Sequence, residues 1–136
     1  MLKFQQTLLS VLLALSIYDA HAGEIVVIAH AGMEKIDATM VQRIYTGKVI
    51  ELNGTAIVAV NYGRGALRDR FLRYFLKQDD ERYSAYWVVR RFIGKGLPPR
   101  EVANTAEVIS FVQATPGAIA YIDESQIKPE MNVIAR

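Results

Sequence analysis

Short apolar runs recur along the chain and predict a buried sheet. Residues 24–29, 56–60 and 118–122 are such runs, and all three are rich in valine, isoleucine or alanine. Continuous apolar segments of this length are typical of strands that are buried on both faces of a sheet. A shorter run at residues 132–135 predicts a fourth strand.

The segment between the first two strands predicts a helix with defined ends. Asp37 is a suitable N-cap, because its side chain can accept a hydrogen bond from the first backbone N–H groups of the helix. The helix is expected to end near Tyr45, with Gly47 in the C′ position that favours glycine. Asn53-Gly54 then predicts a tight turn before the second strand.

Two further helices are predicted between the second and third strands. Within residues 66–77, Leu67, Phe71 and Phe75 recur at four-residue spacing, which indicates one buried helical face. The helix at residues 81–93 is predicted to have an inward apolar face with Trp87 beside it. The residues of that predicted inward face are Ala85, Val88, Val89 and Phe92.

A last helix completes the element order. Asn104 and Glu107 have the spacing of a capping box, and Pro116-Gly117 ends the helix that begins there. The order is therefore β-α-β-α-α-α-β-β. Apolar strands that alternate with helices predict an α/β fold, a three-layer sandwich with a partly parallel sheet.

Residues 1–22 have the features of a secretory signal peptide. Lys3 supplies a basic start, residues 8–17 are almost entirely apolar, and Ala20-His21-Ala22 fits a small-x-small cleavage site. The apolar run is shorter than the roughly 20 residues of a membrane span; an uncleaved anchor or a buried helix is the alternative. We therefore expect a periplasmic protein whose single domain comprises residues 23–136, with no membrane span after cleavage.

Composition argues against several classes of function. The chain has no cysteine, which excludes disulfides and thiolate metal sites. After cleavage His30 is the remaining histidine, so we expect no metal, no cofactor and no catalytic triad, and the protein is predicted not to be an enzyme. The net charge of +2 is too small to suggest nucleic acid, and the arginines and tyrosines of the middle helices are interpreted as a solvated or protein-contact face.

The junction between the second strand and the following helix contains the candidate binding residues. The first N–H groups of a helix lack intrahelical partners and carry partial positive charge, and adjacent glycines let a ligand approach closely. We therefore predict a small-anion site, with Arg64 or Arg68 as a cationic clamp; the alternative is an ordinary strand-to-helix turn. The predicted ligand-binding residues are Asn61, Gly63, Arg64, Gly65, Ala66 and Arg68.

His30, which follows the first strand, has two interpretations. It lines the same sheet edge as Asn61, where ligands of open α/β sheets bind, or it is a loop histidine that is hydrogen-bonded to backbone. Asp123 and Glu124 follow the third strand and are interpreted as capping or solvated residues.

Several segments resemble the phosphate-binding proteins of phosphate ABC transporters. Residues 40–48 (MVQRIYTGK) and 115–121 (TPGAIAY) are similar to family motifs, and Trp87, Gly94-Lys95-Gly96 and Pro98-Pro99 are similar to the family's short single-domain relatives. The resemblance implies one lobe of a type II periplasmic binding protein, with phosphate held at the start of a helix.

The chain departs from that family at the anion-binding turn. The family has an arginine at the strand end and Ser-Gly-Thr at the helix start, whereas this chain has Asn61 and Gly65-Ala66-Leu67. The resemblance thus implies weak binding of phosphate or a similar small oxyanion, with a link to phosphate ABC transport and a membrane transporter or sensor protein as partner. The alternative is a non-catalytic adaptor or sensor-input module that keeps the fold and has lost anion binding.

Overall fold

The computed structural model describes residues 23–136, and the signal peptide predicted for residues 1–22 lies outside them. The strands of the described chain are β1 (Ile25–Ala29), β2 (Glu51–Leu52), β3 (Thr55–Ala56), β4 (Val58–Tyr62), β5 (Arg100–Val102), β6 (Ala118–Asp123) and β7 (Asn132–Ala135). Five of them form a central sheet in the order β5-β4-β6-β1-β7, and β2 and β3 form a separate hairpin.

The central sheet is mixed, which confirms the predicted partly parallel arrangement. β4 runs parallel to β5 and β6, whereas β1 runs antiparallel to β6 and β7. The carboxyl ends of β4, β5 and β6 therefore share one edge of the sheet. The carboxyl end of β1 lies at the opposite edge, because its last residue, Ala29, pairs with Ile119 near the start of β6.

The helices of the described chain are α1 (Ala38–Tyr45), α2 (Ala66–Phe71), α3 (Asp80–Phe92) and α4 (Thr105–Ala114). The predicted N-cap residues Asp37 and Asn104 are confirmed, but the Glu107 side chain accepts from the Ala103 N–H at 3.2 Å, where a capping box would use the Asn104 N–H. The Asp37 side chain accepts from the Met40 N–H at 2.8 Å, and the Asn104 side chain accepts from the Glu107 N–H at 3.0 Å. Gly47 follows α1 with a φ of 71°, a conformation that favours glycine.

Stacked aromatic rings hold the helices against the sheet. Phe71 of α2 lies parallel to Tyr121 of β6, with ring centroids 3.8 Å apart, and Tyr45 of α1 packs against Phe71 at 4.7 Å. The Tyr45 hydroxyl donates to the Val60 carbonyl at 2.9 Å, so this ring is buried with its polar group satisfied. Burial raises the pKa of the Tyr45 hydroxyl well above its ordinary value.

One predicted strand and one predicted helix differ from the elements that the structure contains. The run at residues 56–60 is divided between β3 and β4, and the Asn53-Gly54 turn joins β2 to β3. The helix predicted over residues 66–77 changes after Phe71 to a π-helical turn, Leu72–Leu76, and ends at Lys77 with a φ of 56°. β5 was not predicted, because it has only three residues and two of them are charged.

The predicted inward face of α3 is wrong. The face that packs on the core carries Tyr83 and Trp87, whereas Val88, Val89 and Phe92 are exposed. The Tyr83 hydroxyl and the Trp87 indole N–H both donate to the carbonyl oxygen of Tyr45, at 2.9 and 3.2 Å. These two hydrogen bonds and the buried rings orient the helix, and they outweigh its aliphatic periodicity.

Candidate functional site

The predicted junction has an exposed helix start. β4 ends at Tyr62, α2 begins at Ala66, and the intervening residues 63–65 are exposed. The Asp69 N–H donates to the Gly65 carbonyl at 3.0 Å, so the N–H groups of Ala66 and Leu67 precede the first intrahelical bond. Gly65 occupies the N-cap and has no side chain to accept from them.

An open cleft lies beside this helix start. Residues 62–68 form one wall and Glu101, Val102 and Ala103 form the other, around a volume of about 460 Å³. The cleft is at the edge of the sheet where β4 and β5 end, which is where ligands of open α/β sheets bind. A Cβ atom added at Gly63 would meet no atom within 4 Å, so this glycine leaves space in front of the junction.

Arg64 is the exposed cation of the junction. Its Nη2 donates to the Ser84 hydroxyl at 3.3 Å, and Ser84 in turn donates to an Asp80 carboxylate oxygen at 2.8 Å. Within residues 23–136, Arg64 forms no salt bridge. Its guanidinium is therefore available to a ligand that enters the cleft.

Arg68 differs from Arg64, because it is 5% exposed and its guanidinium is already paired. Its Nε and Nη2 lie 2.9 and 3.0 Å from the two carboxylate oxygens of Asp80, and its Nη1 lies 2.8 Å from Glu101. Nη1 also donates to the Tyr62 carbonyl at 3.0 Å. Burial by itself lowers the pKa of Arg68, but Glu101 and Asp80 outweigh burial and raise that pKa above its ordinary value.

These contacts give Arg68 a structural task that the sequence did not reveal. The guanidinium joins the end of β4 to α3 through Asp80 and to β5 through Glu101. Its charge is balanced by two carboxylates, so the interpretation of Arg68 as a free cationic clamp is not supported by its surroundings. The sequence does not predict these ion pairs, because Asp80 and Glu101 lie 12 and 33 residues from Arg68 along the chain.

Asn61 does not reach the cleft. β4 extends two residues beyond the predicted strand, so Asn61 lies inside the strand and is 2% exposed. Its side-chain oxygen accepts from the Tyr121 hydroxyl and from the Tyr62 N–H, the latter at 2.9 Å. Asn61 thus supports the strand end from within the core, whereas direct ligand contact was expected.

The other polar residues near the strand ends have local partners. His30 lies at the opposite sheet edge because β1 is antiparallel to β6, and its Nδ1 donates to the Val112 carbonyl at 2.9 Å, which confirms the loop interpretation. Asp123 caps the turn after β6 and pairs with Arg70 at 2.9 Å. Hydrogen bonds from Ser125, together with Arg70, hold the pKa of Asp123 below its ordinary value.

The described residues also bear on two other kinds of feature, a metal centre and a membrane span. Residues 23–136 contain no group of three or more histidine, aspartate or glutamate side chains that could hold a metal ion. None of the helices in that part of the chain has the length and apolar character of a membrane span.

The α/β fold with its mixed sheet is similar to part of two solved phosphate-binding transport proteins. A Clostridium perfringens protein assigned as a phosphate ABC transporter substrate-binding protein, determined with bound phosphate, matches with a TM-score of 0.66 and 21% identity. An ABC-type phosphate transport receptor from Vibrio cholerae matches with a TM-score of 0.64 and 11% identity. No protein-family model matches the sequence, and no curated protein matches it.

The chain corresponds to part of each solved structure. Both matches cover 82% of this chain, but only 44% of the first protein and 45% of the second. The chain therefore spans less than half the length of these two proteins. At this level of identity the likeness confirms the predicted fold and the predicted resemblance to phosphate-binding proteins.

Proposed function

We propose that residues 23–136 form a non-catalytic binding module of the periplasmic solute-binding type. Its ligand is phosphate or a similar small oxyanion, which binds weakly in the cleft beside Arg64. The exposed start of α2 carries the proposal, because the N–H groups of Ala66 and Leu67 have no intrahelical acceptor and stand beside Arg64, which forms no salt bridge within residues 23–136. Partial positive charge at a helix start favours an anion.

The surroundings of the cleft support weak binding. Each neutral hydrogen bond contributes about 0.5–1.5 kcal/mol, and each bond to a charged group about 1.5–3 kcal/mol. Association costs at least about 4 kcal/mol, because the ligand loses translational and rotational freedom. The cleft is open to solvent, and the exposed Glu101 carboxylate on its far wall repels an anion. We therefore expect a dissociation constant in the millimolar range.

Asn61 and Arg68 have positioning roles in this proposal. Asn61 holds the end of β4, and Arg68 ties the same strand end to α3 and β5. The ligand contacts themselves come from Gly63, Arg64, Gly65 and Ala66. Phosphate thus meets mostly backbone groups and one guanidinium.

Export and partners belong to the same proposal. Removal of residues 1–22 as a signal peptide would deliver the domain to the periplasm. A membrane transporter or a sensor protein is the partner class that suits a module without chemistry of its own, and nucleic acid is not proposed as a partner.

The second candidate function is an adaptor or sensor-input module that does not bind anions. One observation favours it. Asp80 and Glu101 already form ion pairs with Arg68, so Arg64 is the cation that remains for a ligand in the cleft. The hydroxyl donors that the resemblance implies at the helix start are also absent, because Gly65 and Leu67 stand at those two positions.

Amide NMR with titrated phosphate and sulfate, at low ionic strength and with chloride as the reference anion, distinguishes these functions. We expect the amide signals of Gly65, Ala66 and Leu67 to shift with saturable curves. Arg64→Ala should weaken binding several-fold, whereas Arg73→Ala, an exposed arginine outside the cleft, should not change it. Absence of any shift at tens of millimolar anion would leave the adaptor function, and unchanged affinity of Arg64→Ala would place the site elsewhere.

A further inference from the structure

The outward face of α3 carries an apolar stripe that the described chain leaves uncovered. The stripe, with its extension past the helix end, comprises Ala85, Val88, Val89, Phe92 and Ile93. Phe92 is 90% exposed and Val88 is 67% exposed. The spacing of three and four residues puts the stripe on one side of the helix, opposite the buried Trp87. A contiguous exposed apolar surface of this kind marks an interaction site.

Charged groups of opposite sign stand at the two ends of the stripe. Glu81 lies one turn before Ala85 at the amino end, and Arg91 and Lys95 lie at the carboxyl end. In the chain from residue 23 onward, none of these three forms a salt bridge. An antiparallel helix of the same sequence would place its basic end against Glu81, so the stripe is complementary in charge to a second copy of itself.

Side-chain size sets the same orientation. In an antiparallel pair centred between Val88 and Val89, Phe92 of each helix lies opposite Ala85 of the other, so the largest side chain of the stripe meets the smallest. A parallel pair would place Glu81 against Glu81 and the two basic ends against each other, so that like charges repel at both ends of the stripe. A negatively charged lipid surface would also repel Glu81, which lies on the stripe itself.

We propose that the α3 stripe is the contact surface of a homodimer, in which two copies pack their α3 helices antiparallel about a two-fold axis between Val88 and Val89. Such an interface is isologous, because each copy contributes the same patch. One helix pair with its adjoining loops buries less than the roughly 1,200–2,000 Å² of a standard interface. We therefore expect a dissociation constant on the order of micromolar and a concentration-dependent dimer.

Light scattering coupled to size-exclusion chromatography tests the dimer, with the N-terminus of the purified protein defined by mass spectrometry. The mass should rise from monomer to dimer across a micromolar concentration series. Phe92→Asp should give a monomer at every concentration, and it should fold normally because the side chain is exposed. Tyr74→Asp, a matched change at an exposed aromatic residue outside α3, should leave the dimer intact.

A charge exchange tests the antiparallel arrangement. Glu81→Lys and Lys95→Glu should each weaken the dimer several-fold, and the double variant should recover most of the loss, because the interaction of paired charges is not additive. A double variant no tighter than the single variants would overturn the arrangement. Two results in solution would overturn the dimer itself: a wild-type protein that is monomeric at all concentrations, or a dimer that Phe92→Asp does not affect. Binding of the monomer to anionic vesicles that depends on Phe92 would also overturn it.

Discussion

Arg68 and Asp80 form a two-point ion pair that joins the start of α2 to the start of α3. Nε and Nη2 of the guanidinium lie 2.9 and 3.0 Å from the two carboxylate oxygens, and both side chains are largely buried. The same guanidinium lies over the Tyr83 ring at 5.5 Å. The pair therefore sets the position of the candidate cleft relative to α3.

Loss of Asp80 should destabilise the protein strongly. Asp80→Ala leaves the Arg68 charge buried with one exposed partner, and breaking a buried ion pair in this way costs about 3–5 kcal/mol. Urea unfolding, followed by circular dichroism, should give this decrease in the free energy of unfolding. Glu101→Gln is the comparison: the Glu101 side chain is 59% exposed, so its loss should cost no more than about 1 kcal/mol. If the two variants lost the same free energy of unfolding, the assignment of Asp80 as the buried partner of Arg68 and Glu101 as its exposed partner would be contradicted.

The same Glu101→Gln variant should improve anion binding. It removes a negative charge from the wall of the cleft. It also removes one of the two carboxylates that balance the positive charge of Arg68. We expect phosphate affinity to rise by about two- to five-fold at low salt and the gain to shrink at high salt, because exposed charges are screened. Glu51→Gln, an exposed carboxylate on β2 outside the cleft, is the control and should leave affinity unchanged. A decrease in affinity for Glu101→Gln would argue against the proposed cleft.

Tyr121→Phe should destabilise the end of β4 without creating a cavity. The substitution removes the hydroxyl that donates to the buried Asn61 side chain and leaves the stacked rings in place. Loss of a partner from a buried polar group costs about 1–3 kcal/mol. Thermal unfolding should detect this cost, and Tyr74→Phe, at an exposed ring, should unfold like the wild-type protein. The assigned hydrogen bond would be refuted by a Tyr121→Phe protein of wild-type stability.

Stability should fall in alkali. Burial raises the pKa of Tyr83 to about 12 and raises the pKa values of Tyr45 and Tyr121 as well. In the unfolded chain these phenols ionise near their ordinary value of about 10, so the unfolded state binds fewer protons than the folded state above that pH. The free energy of unfolding should therefore decrease as pH rises from about 10 towards 12. Tyrosinate absorbance should show delayed ionisation in the folded protein, and immediate ionisation of all tyrosines at pH 10 would contradict it.

Caps and strands were predictable because their signals are local. Asp37 and Asn104 accept from N–H groups three residues away, and Gly47 has the positive φ that its position after a helix requires. Apolar runs of the observed length also place β6 and β7 close to their true bounds. In each case the deciding contacts join residues near one another in the chain.

The face of α3 and the partners of Arg68 were not predictable in this way. α3 has two candidate faces, an aliphatic one and an aromatic one. The aromatic face packs inward because Tyr83 and Trp87 find the same acceptor, the carbonyl of Tyr45, about 40 residues earlier in the chain. The sequence alone assigns apolar residues to a helix face but does not say which face finds hydrogen-bond partners in the core.

The sequence by itself determined the class of fold, the caps and the glycine-bracketed helix start, since periodicity and backbone preference act over a few residues. The tertiary structure decided which junction residues face the cleft: it buried Asn61 in β4, paired Arg68 with Asp80 and Glu101, and left Arg64 exposed. It also placed His30 at the far edge of the sheet. These outcomes depend on strand direction and on charge pairs distant in sequence, and such long-range contacts form only when the whole chain packs.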